Sequence, residues 1–463
     1  MIKNTLIVGA GEAGKVIARE ILDKKSLSKY RILGFIDDDR TKRSVFGIPV
    51  LNTIDNICDE IKRNNINLVI IAIPSADRSV ISKIIEKISG LDIEVRIVPG
   101  IYEIIEGSVS WKDIRHIIPE DLLGREEVGL DIEKIKDKYS DKTVLVTGAG
   151  GSIGSSLVEH LLKLPIKKLI ALGRGENSIH SLIIKYSNDK RFNYLIGDIR
   201  DYERMKYEIS FWKPDIVFHA AAHKHVPLME DFPDEAVHNN VIGTYNLAVN
   251  SIENNVKDFV LISTDKAVNP TSVMGSTKRL AEKIVLSFNL FNKTRFICTR
   301  FGNVLGSRGS VIPTFIEQIK KGGPVTVTHP EIQRFFMSIR EAARLVIKSI
   351  TVNNGHIFVL NMGRPIKIID LAKMLIRMSG QDVPIMITGL RKGEKLNEEL
   401  FYNEEELVST NFEKLMVSKN SESYFSPEEI EKMITEFKQA IRSFDRSFIR
   451  ELIKKYLPEF KGK

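Results

Sequence analysis

Ser263-Thr264-Asp265-Lys266-Ala267-Val268-Asn269-Pro270-Thr271-Ser272-Val273-Met274-Gly275-Ser276-Thr277-Lys278 decides how the rest of the chain is read. It follows the apolar run Phe259-Val260-Leu261-Ile262, whose unbroken hydrophobicity predicts a strand buried on both faces of a parallel sheet. An amphipathic helix is expected over 278–288. A polar tip on such a strand falls at the carboxyl end of an open α/β sheet, where ligands bind. Thr264, Asp265 and Lys266 set a hydroxyl, an acid and an amine side by side at that tip. Met274 and Lys278 are four apart and share one helix face.

Upstream, Thr143-Val144-Leu145-Val146-Thr147 reads as a strand that runs into Gly148-Ala149-Gly150-Gly151-Ser152-Ile153-Gly154. Gly148, Gly151 and Gly154, with Ser152 and Ile153 between them, let the backbone approach a pyrophosphate whose charge meets a helix N-terminus. The strand over 168–172 ends in Gly173-Arg174-Gly175-Glu176. An acid here holds the ribose hydroxyls of NAD, and an arginine accommodates the 2′-phosphate of NADP. Either cofactor is open. Arg174 favours NADP, and Glu176 is the remaining acid within reach of a ribose. A further strand, 215–218, leads into His219-Ala220-Ala221-Ala222-His223-Lys224-His225, where three small alanines let the backbone lie along a cofactor. His223, Lys224 and His225 lack a further acidic or cysteine partner at ligand spacing, so no metal is expected. A helix from Glu235, carrying Asn239, Asn240 and Thr244, should back the cofactor.

The N-terminus carries a separate fingerprint. A strand over 5–10 opens Gly9-Ala10-Gly11-Glu12-Ala13-Gly14, a helix follows, and a strand over 31–36 ends in Asp37-Asp38-Asp39. A strand over 67–73, a helix from Asp77 and a strand over 94–98 complete a small doubly wound unit. Nucleotide binding and a tight turn needed only for packing both remain open for it, since no catalytic residues follow.

At 463 residues, several domains are expected, and 43% hydrophobic with 28% charged content is that of a globular protein. No apolar run approaches the ~18–20 residues that span a bilayer. MIKNTLIVGAG reads as a strand interrupted by glycine, not as a signal peptide. Cys58 and Cys298 lie among apolar residues and read as reduced core thiols in a reducing compartment. The net charge of +8 is scattered, which suits nucleotide diphosphates or anionic lipid. No basic stripe with interleaved aromatics is present, so nucleic acid is not an expected partner.

Taken together, Thr-Asp-Lys, Asn-Pro-Thr and Met-Gly-x-Thr-Lys resemble the large nucleotide-sugar 4,6-dehydratases of bacterial polysaccharide and glycan biosynthesis, the CapD/WbpM/PglF type. Met274 and Lys278 keep the spacing of the Tyr-x-x-x-Lys pair of short-chain dehydrogenases, with methionine in the tyrosine's place. The resemblance covers residues 1 to about 415. It implies an α/β protein of two Rossmann-like doubly wound parallel-sheet domains, the second an extended short-chain dehydrogenase fold with a smaller substrate-binding part. The expected divisions are a nucleotide-binding domain over 1–100, a connector over 101–142, a dehydratase domain over 143–415 and a helical tail over 416–463. The connector holds Asp121-Leu122-Leu123-Gly124-Arg125-Glu126, which matches the family's segment before its catalytic domain. In the tail, Ser426-Pro427-Glu428-Glu429 starts a helix whose apolar face suits docking or homo-oligomer contact.

The resemblance also assigns residues. Asp198, followed by Ile199, stands where the family contacts adenine. Ala220, Ala221, Ala222 and Asn240 join the cofactor side, and the loop with His223 and Lys224 faces the sugar nucleotide. Asn303, Ser310 and Val311 lie in the segment that holds the nucleotide diphosphate, and Arg334 lies beside the uridine pocket. Arg391 and Glu394 lie in Leu-Arg-Lys-Gly-Glu-Lys, where Arg391 suits a phosphate because its planar fork pairs with phosphate oxygens. The chain departs from the family at Gly173, which is often Asp, at Lys392 for proline and at Asn397 for tyrosine. The implied activity is dehydration of UDP-N-acetylglucosamine by an internal redox cycle that regenerates tightly bound NAD(P), with retention at C5. Lys278 would hold the nicotinamide ribose, Met274 cannot exchange a proton, Thr264 would bond the C4 hydroxyl, Asp265 would be the acid at C6 and Lys266 the base at C5. Asp265 and Lys266 would need pKa values drawn toward neutrality by burial. A nucleotide-sugar 4-epimerase or reductase, and a non-catalytic nucleotide-sugar or redox sensor, are the alternatives. The family's usual membrane-helix bundle is missing from this sequence, which reads either as a naturally soluble member or as a trimmed chain; a cytoplasmic location is expected, with a peripheral position at the inner face of the membrane as the alternative.

Overall fold

The structure is a computed structural model that describes residues 2–76, 78–88, 91, 93–98, 114–116, 128–379, 381–419 and 425–462. The motif at 121–126 and the expected helix start at Asp77 lie outside the described residues. The chain forms two compact units, one of 1–127, 311–326 and 370–386, the other of 128–310, 327–369 and 387–463.

The first unit holds a seven-stranded sheet in the spatial order Ser44–Val45, Ile48–Asn52, Tyr30–Ile36, Lys3–Val8, Leu68–Ile71, Glu94–Ile97, Arg115–His116. Its inner strands are parallel, and the order turns back at Lys3–Val8, which puts the glycine fingerprint at the switch point. Leu6, Ile7, Leu68, Val69 and Ile70 are completely buried, as expected for strands covered on both faces.

The second unit is built on a nine-stranded sheet. Seven parallel strands run in the order Phe192–Ile196, Lys168–Gly173, Thr143–Thr147, Ile216–His219, Asp258–Ile262, Arg295–Arg300, Ile357–Leu360, and Leu415–Ser418 and Leu407–Ser409 add to the last edge antiparallel. The order reverses between Thr143–Thr147 and Ile216–His219. Both Gly148 and the loop after His219 therefore open into one crevice. Cys298 is completely buried on the central strand Arg295–Arg300.

Three expectations are corrected. The helix after the Thr-Asp-Lys stretch spans Val273–Ser287, not 278–288, because the Ser272 side chain accepts a hydrogen bond from the Gly275 N–H and starts it a turn earlier. The tail expected to be helical over 416–463 begins inside the closing strand Leu415–Ser418, ahead of its helices. The tail is also not a free docking element. Helices Pro427–Arg442 and Arg446–Tyr456 bury Met433, Phe437, Ile449 and Leu452 in the same core as Leu280 and Ile284 of the Val273–Ser287 helix.

A buried charge network ties this helix to the sheet. Arg300 is completely buried, and its guanidinium donates to Glu282 at 2.8 Å and to Glu405 at 2.8 Å. Burial alone would raise the Glu282 carboxyl, but Arg300 and then Arg279 overcome it and bring its pKa down to about 2. The folded value lies below the unfolded one, so this contribution is complete above ordinary carboxylate pH and is lost as pH falls toward 2. Replacing Arg300 by alanine takes the shared guanidinium away from two buried carboxylates. We expect a loss of about 3–5 kcal/mol in denaturant unfolding. A loss under ~1 kcal/mol would show that the network contributes little beyond a surface pair.

Candidate functional site

The Asp258–Ile262 strand ends in a hydrogen bond from Ser263 N–H to the Thr299 carbonyl, and the chain then turns sharply. Thr264 caps a single 3-10 turn, Asp265–Ala267. Its hydroxyl donates to Asp265 Oδ1 at 2.9 Å, and Lys266 Nζ donates to the same oxygen at 3.0 Å. The three expected chemical groups thus share one oxygen. Asp265 is completely buried, and its Oδ2 has no hydrogen-bond partner among the described residues. Such orphaned buried acceptors are uncommon in native proteins and point to function.

The helix lies flush on this turn. A β-carbon at Gly275 would stand 2.2 Å from the Lys266 carbonyl oxygen, so only glycine fits there. The segment with the Leu-Arg-Lys-Gly-Glu-Lys motif grips the loop from the other side. Lys395 Nζ donates to the Val268 carbonyl at 2.9 Å, Thr271 Oγ1 to the Gly393 carbonyl at 3.0 Å and Tyr402 to the Ala267 carbonyl at 3.3 Å.

A cavity of about 210 Å³ opens here, lined by Lys266, Asn303, Arg334, Arg391, Glu394 and Glu398 among others. Asn303 accepts from Lys266 Nζ at 3.3 Å. Arg334 is buried and spends its guanidinium on the carbonyls of Leu396 and Lys395, at 3.0 and 2.8 Å. It therefore shapes the wall, and Arg391, which is exposed, is the freer cation. Glu394 accepts from the Arg391 backbone N–H at 3.1 Å and closes the turn that presents that side chain. Ser310 closes a turn on the Ser307 carbonyl, and Val311 opens the helix Val311–Lys320 of the other unit. Asp265, Thr264, Met274 and Lys278 are not among the residues lining the cavity.

The expectation for Lys266 needs a correction. Burial works to lower its pKa, but Asp265 and then Glu398 outweigh burial and leave it above the ordinary lysine value. The resting amine is an ammonium. Lys278 behaves oppositely: desolvation outweighs the pull of the Glu282 carboxylate and brings its pKa down to about 8. Met274 is also buried on that helix.

On the cofactor side, the glycines form a cradle that fits a dinucleotide. Gly148 has φ +62°, and a β-carbon there would lie 2.7 Å from the Ala221 backbone; at Gly154 it would lie 2.2 Å from the Gly148 carbonyl oxygen. Gly151 caps the helix Ser152–Leu161, which begins with Ser152 and Ile153 and directs its free N–H groups toward the crevice. A β-carbon at Gly173 would meet the end of the Ile179 side chain at 2.9 Å. Arg174, more than half exposed, lies 3.6 Å from Asp198. Asp198 is at about 2 because Arg200, and then Arg174, more than offset its burial. Asn240 is a brace rather than a free amide: it accepts from His223 N–H at 2.8 Å and donates to the His223 carbonyl and to Thr277 Oγ1, each at 3.0 Å. This fixes the Ala220–Ala222 loop to the Val273–Ser287 helix. Ile199 is core, and a β-carbon at Gly243 would strike it at 2.7 Å. Lys224 donates to Ser307 at 3.3 Å, and burial lowers its pKa. His223 is likewise lowered, mainly by desolvation.

In the first unit, Asp37 is engaged internally. Its oxygens accept from Ala10 N–H at 2.7 Å and Lys42 Nζ at 3.0 Å on one side and from Asp39 N–H at 2.9 Å on the other. The acid that ends the fingerprint thus closes the glycine loop.

Sequence reasoning missed Glu398, a buried carboxylate beside Lys266, and Glu230, whose Oε1 accepts from Val273 N–H at 2.6 Å at the start of the Val273–Ser287 helix. Both lie in charged stretches without periodicity, and the only signal for Glu398 was its place three residues past the Gly-Glu-Lys turn.

Strand order, the glycine cradle and the Met274-x-x-x-Lys278 helix define an extended short-chain dehydrogenase-type α/β protein. Residues 144–420 match a family described as polysaccharide biosynthesis protein, and residues 2–99 match a CoA-binding domain. The chain belongs to the polysaccharide biosynthesis protein family. It is 45% identical over 424 residues to the probable polysaccharide biosynthesis protein EpsC of Bacillus subtilis (strain 168), covering 89% of this chain and 71% of that protein. It is 46% identical over 416 residues to the capsular polysaccharide biosynthesis protein CapD of Staphylococcus aureus, covering 87% of this chain and 69% of that one. The solved structure of Pen from Bacillus thuringiensis is similar with a TM-score of 0.57 at 34% identity, over 64% of this chain and 99% of that chain. No helix among the described residues is long and apolar enough to cross a membrane.

Lys278→Ala should stay folded, since no fold-bearing bond is lost, yet lose turnover by several orders of magnitude. With a pKa of about 8, the charge of Lys278 fades as pH rises past that value. Turnover should therefore fall on the alkaline side in the wild type, and Lys278→Arg should move that limb upward. Near-normal turnover of Lys278→Ala would remove the residue from the site.

Proposed function

We propose that the protein is a nucleotide-sugar 4,6-dehydratase acting on UDP-N-acetylglucosamine with NAD(P) in the glycine cradle. The observation that carries this reading is the hydroxyl–carboxylate–amine row of Thr264, Asp265 and Lys266, with the amine on the cavity wall and an orphaned oxygen on the carboxylate. The exposed guanidinium of Arg174 supports NADP over NAD. Arg391 is the phosphate clamp.

When bound, the nicotinamide supplies a place that accepts a hydride from C4 and gives it back at C6. The protein's residues handle the protons. Lys266 passes a proton to Asp265 over the 3.0 Å bond, which makes one the base and the other the acid. The Lys266 amine takes the C5 proton while Asp265 gives its proton to the C6 hydroxyl, which leaves as water. The ammonium returns a proton to C5. The proton shed earlier by the C4 hydroxyl leaves through Thr264, which bonds Asp265 at 2.9 Å, to water, and one proton taken back from water at the end of the cycle restores the pair. The sugar loses one water and no net electrons.

A 4-epimerase is the second reading, because the chain is 38% identical over 275 residues to a protein named UDP-glucose 4-epimerase from Rickettsia canadensis. Epimerisation needs no group at C5 or C6, so the Asp265–Lys266 pair speaks for dehydration. Met274 speaks the same way, since its thioether cannot act as the base at the C4 hydroxyl.

In deuterated water, the product should carry one deuterium at C5, and the hydrogen arriving at C6 should come from C4 of the substrate. Retention at C5 gives the D-xylo 4-keto sugar by nuclear magnetic resonance. Deuterium at C6, or the inverted L-arabino product, would overturn these roles.

A further inference from the structure

Lys266 faces a second carboxylate that the reaction scheme does not use. Glu398 is buried, its Oε1 lies 3.6 Å from Lys266 Nζ and 3.9 Å from Arg334 Nε, and its Oε2 has no hydrogen-bond partner among the described residues. We propose that Glu398 is a positioning residue for the base, clamping Lys266 between two buried carboxylates so that its amine is held on the cavity wall and charged until Asp265 takes its proton. This role rests on the dehydratase reading above.

The geometry favours a clamp over chance packing. Asp265 reaches Lys266 from its own turn, and Asn303 reaches it at 3.3 Å from the strand Asn303–Val304. Glu398 comes from a third segment, the coil after the Arg391–Glu394 turn. The cations facing the amine are Arg334 and Lys224, which destabilise its charge, and Arg391 and Lys395 line the same cavity with Glu394. Burial, Arg334 and Lys224 all act against an ammonium here. Asp265 would face that opposition alone without Glu398. Holding the lysine charged at rest keeps Asp265 and the amine as a matched ion pair, so a single proton shift between them produces both the acid and the base.

The test is the pH dependence of Lys266 acetylation by a trace of acetic anhydride, read by mass spectrometry on folded full-length protein. It needs no substrate, so it stands even if the sugar assignment fails. Glu398→Gln removes the charge and keeps the shape. Its labelling curve should move toward acid by about one pH unit, roughly tenfold in rate at fixed pH. Glu398→Asp, which keeps a charge set back from the amine, should show a smaller move in the same direction. An unchanged or alkaline-shifted labelling curve in Glu398→Gln overturns the clamp. If that variant does not fold, an unshifted or alkaline-shifted curve in Glu398→Asp overturns it instead. A wild-type protein without turnover, but with the acid shift in the variants, would sink the dehydratase reading and leave the clamp.

Discussion

The site depends on one close approach. The Lys266 carbonyl oxygen sits 2.2 Å from where a β-carbon at Gly275 would stand, so the Val273–Ser287 helix can rest directly on the turn that carries Thr264, Asp265 and Lys266. That contact sets the height of the helix over the sheet, and with it the position of Met274 and Lys278. The rest of the second unit reinforces it. Ser272 and Glu230 bind the first N–H groups of the helix, Asn240 ties its flank to the alanine loop, and Arg300 holds Glu282 beneath it.

Lys266 and Lys278, two lysines of one stretch of sequence, are tuned in opposite directions by the same physics. Both are buried, and burial alone disfavours the charge on each. Lys266 has two carboxylates within 4 Å and stays above its ordinary value, whereas Lys278 has none so near and falls to about 8. A base that begins as an ammonium must pass its proton to a neighbour before it acts. The shared oxygen of Asp265 makes that neighbour available. The tuning therefore argues for a coupled acid–base pair rather than for an amine that is neutral at rest.

Much of this was legible in the chain. Glycine spacing after apolar strands specified both cradles, because a close backbone approach excludes every other residue. The polar triplet at the end of a buried strand marked the site. What could not be read was set by tertiary contact. Glu398 and Glu399 look alike in sequence, and only packing makes the first of them buried. The strands Leu407–Ser409 and Leu415–Ser418 are too short for a period to show within a charged segment. Nor does the sequence display that Asn240 braces the alanine loop or that Asp37 closes its own glycine loop. Asn240 reaches Thr277 and Asp37 reaches Ala10 across 37 and 27 residues of chain.

The central claim is that the turn at Thr264–Lys266 removes water from a nucleotide sugar. Purified protein incubated with UDP-N-acetylglucosamine should yield, by mass spectrometry, a nucleotide sugar lighter by one water that absorbs as a 4-keto sugar in alkali. Recovery of unchanged substrate, or of an isomer of the same mass, from folded protein supplied with NAD and NADP would contradict it.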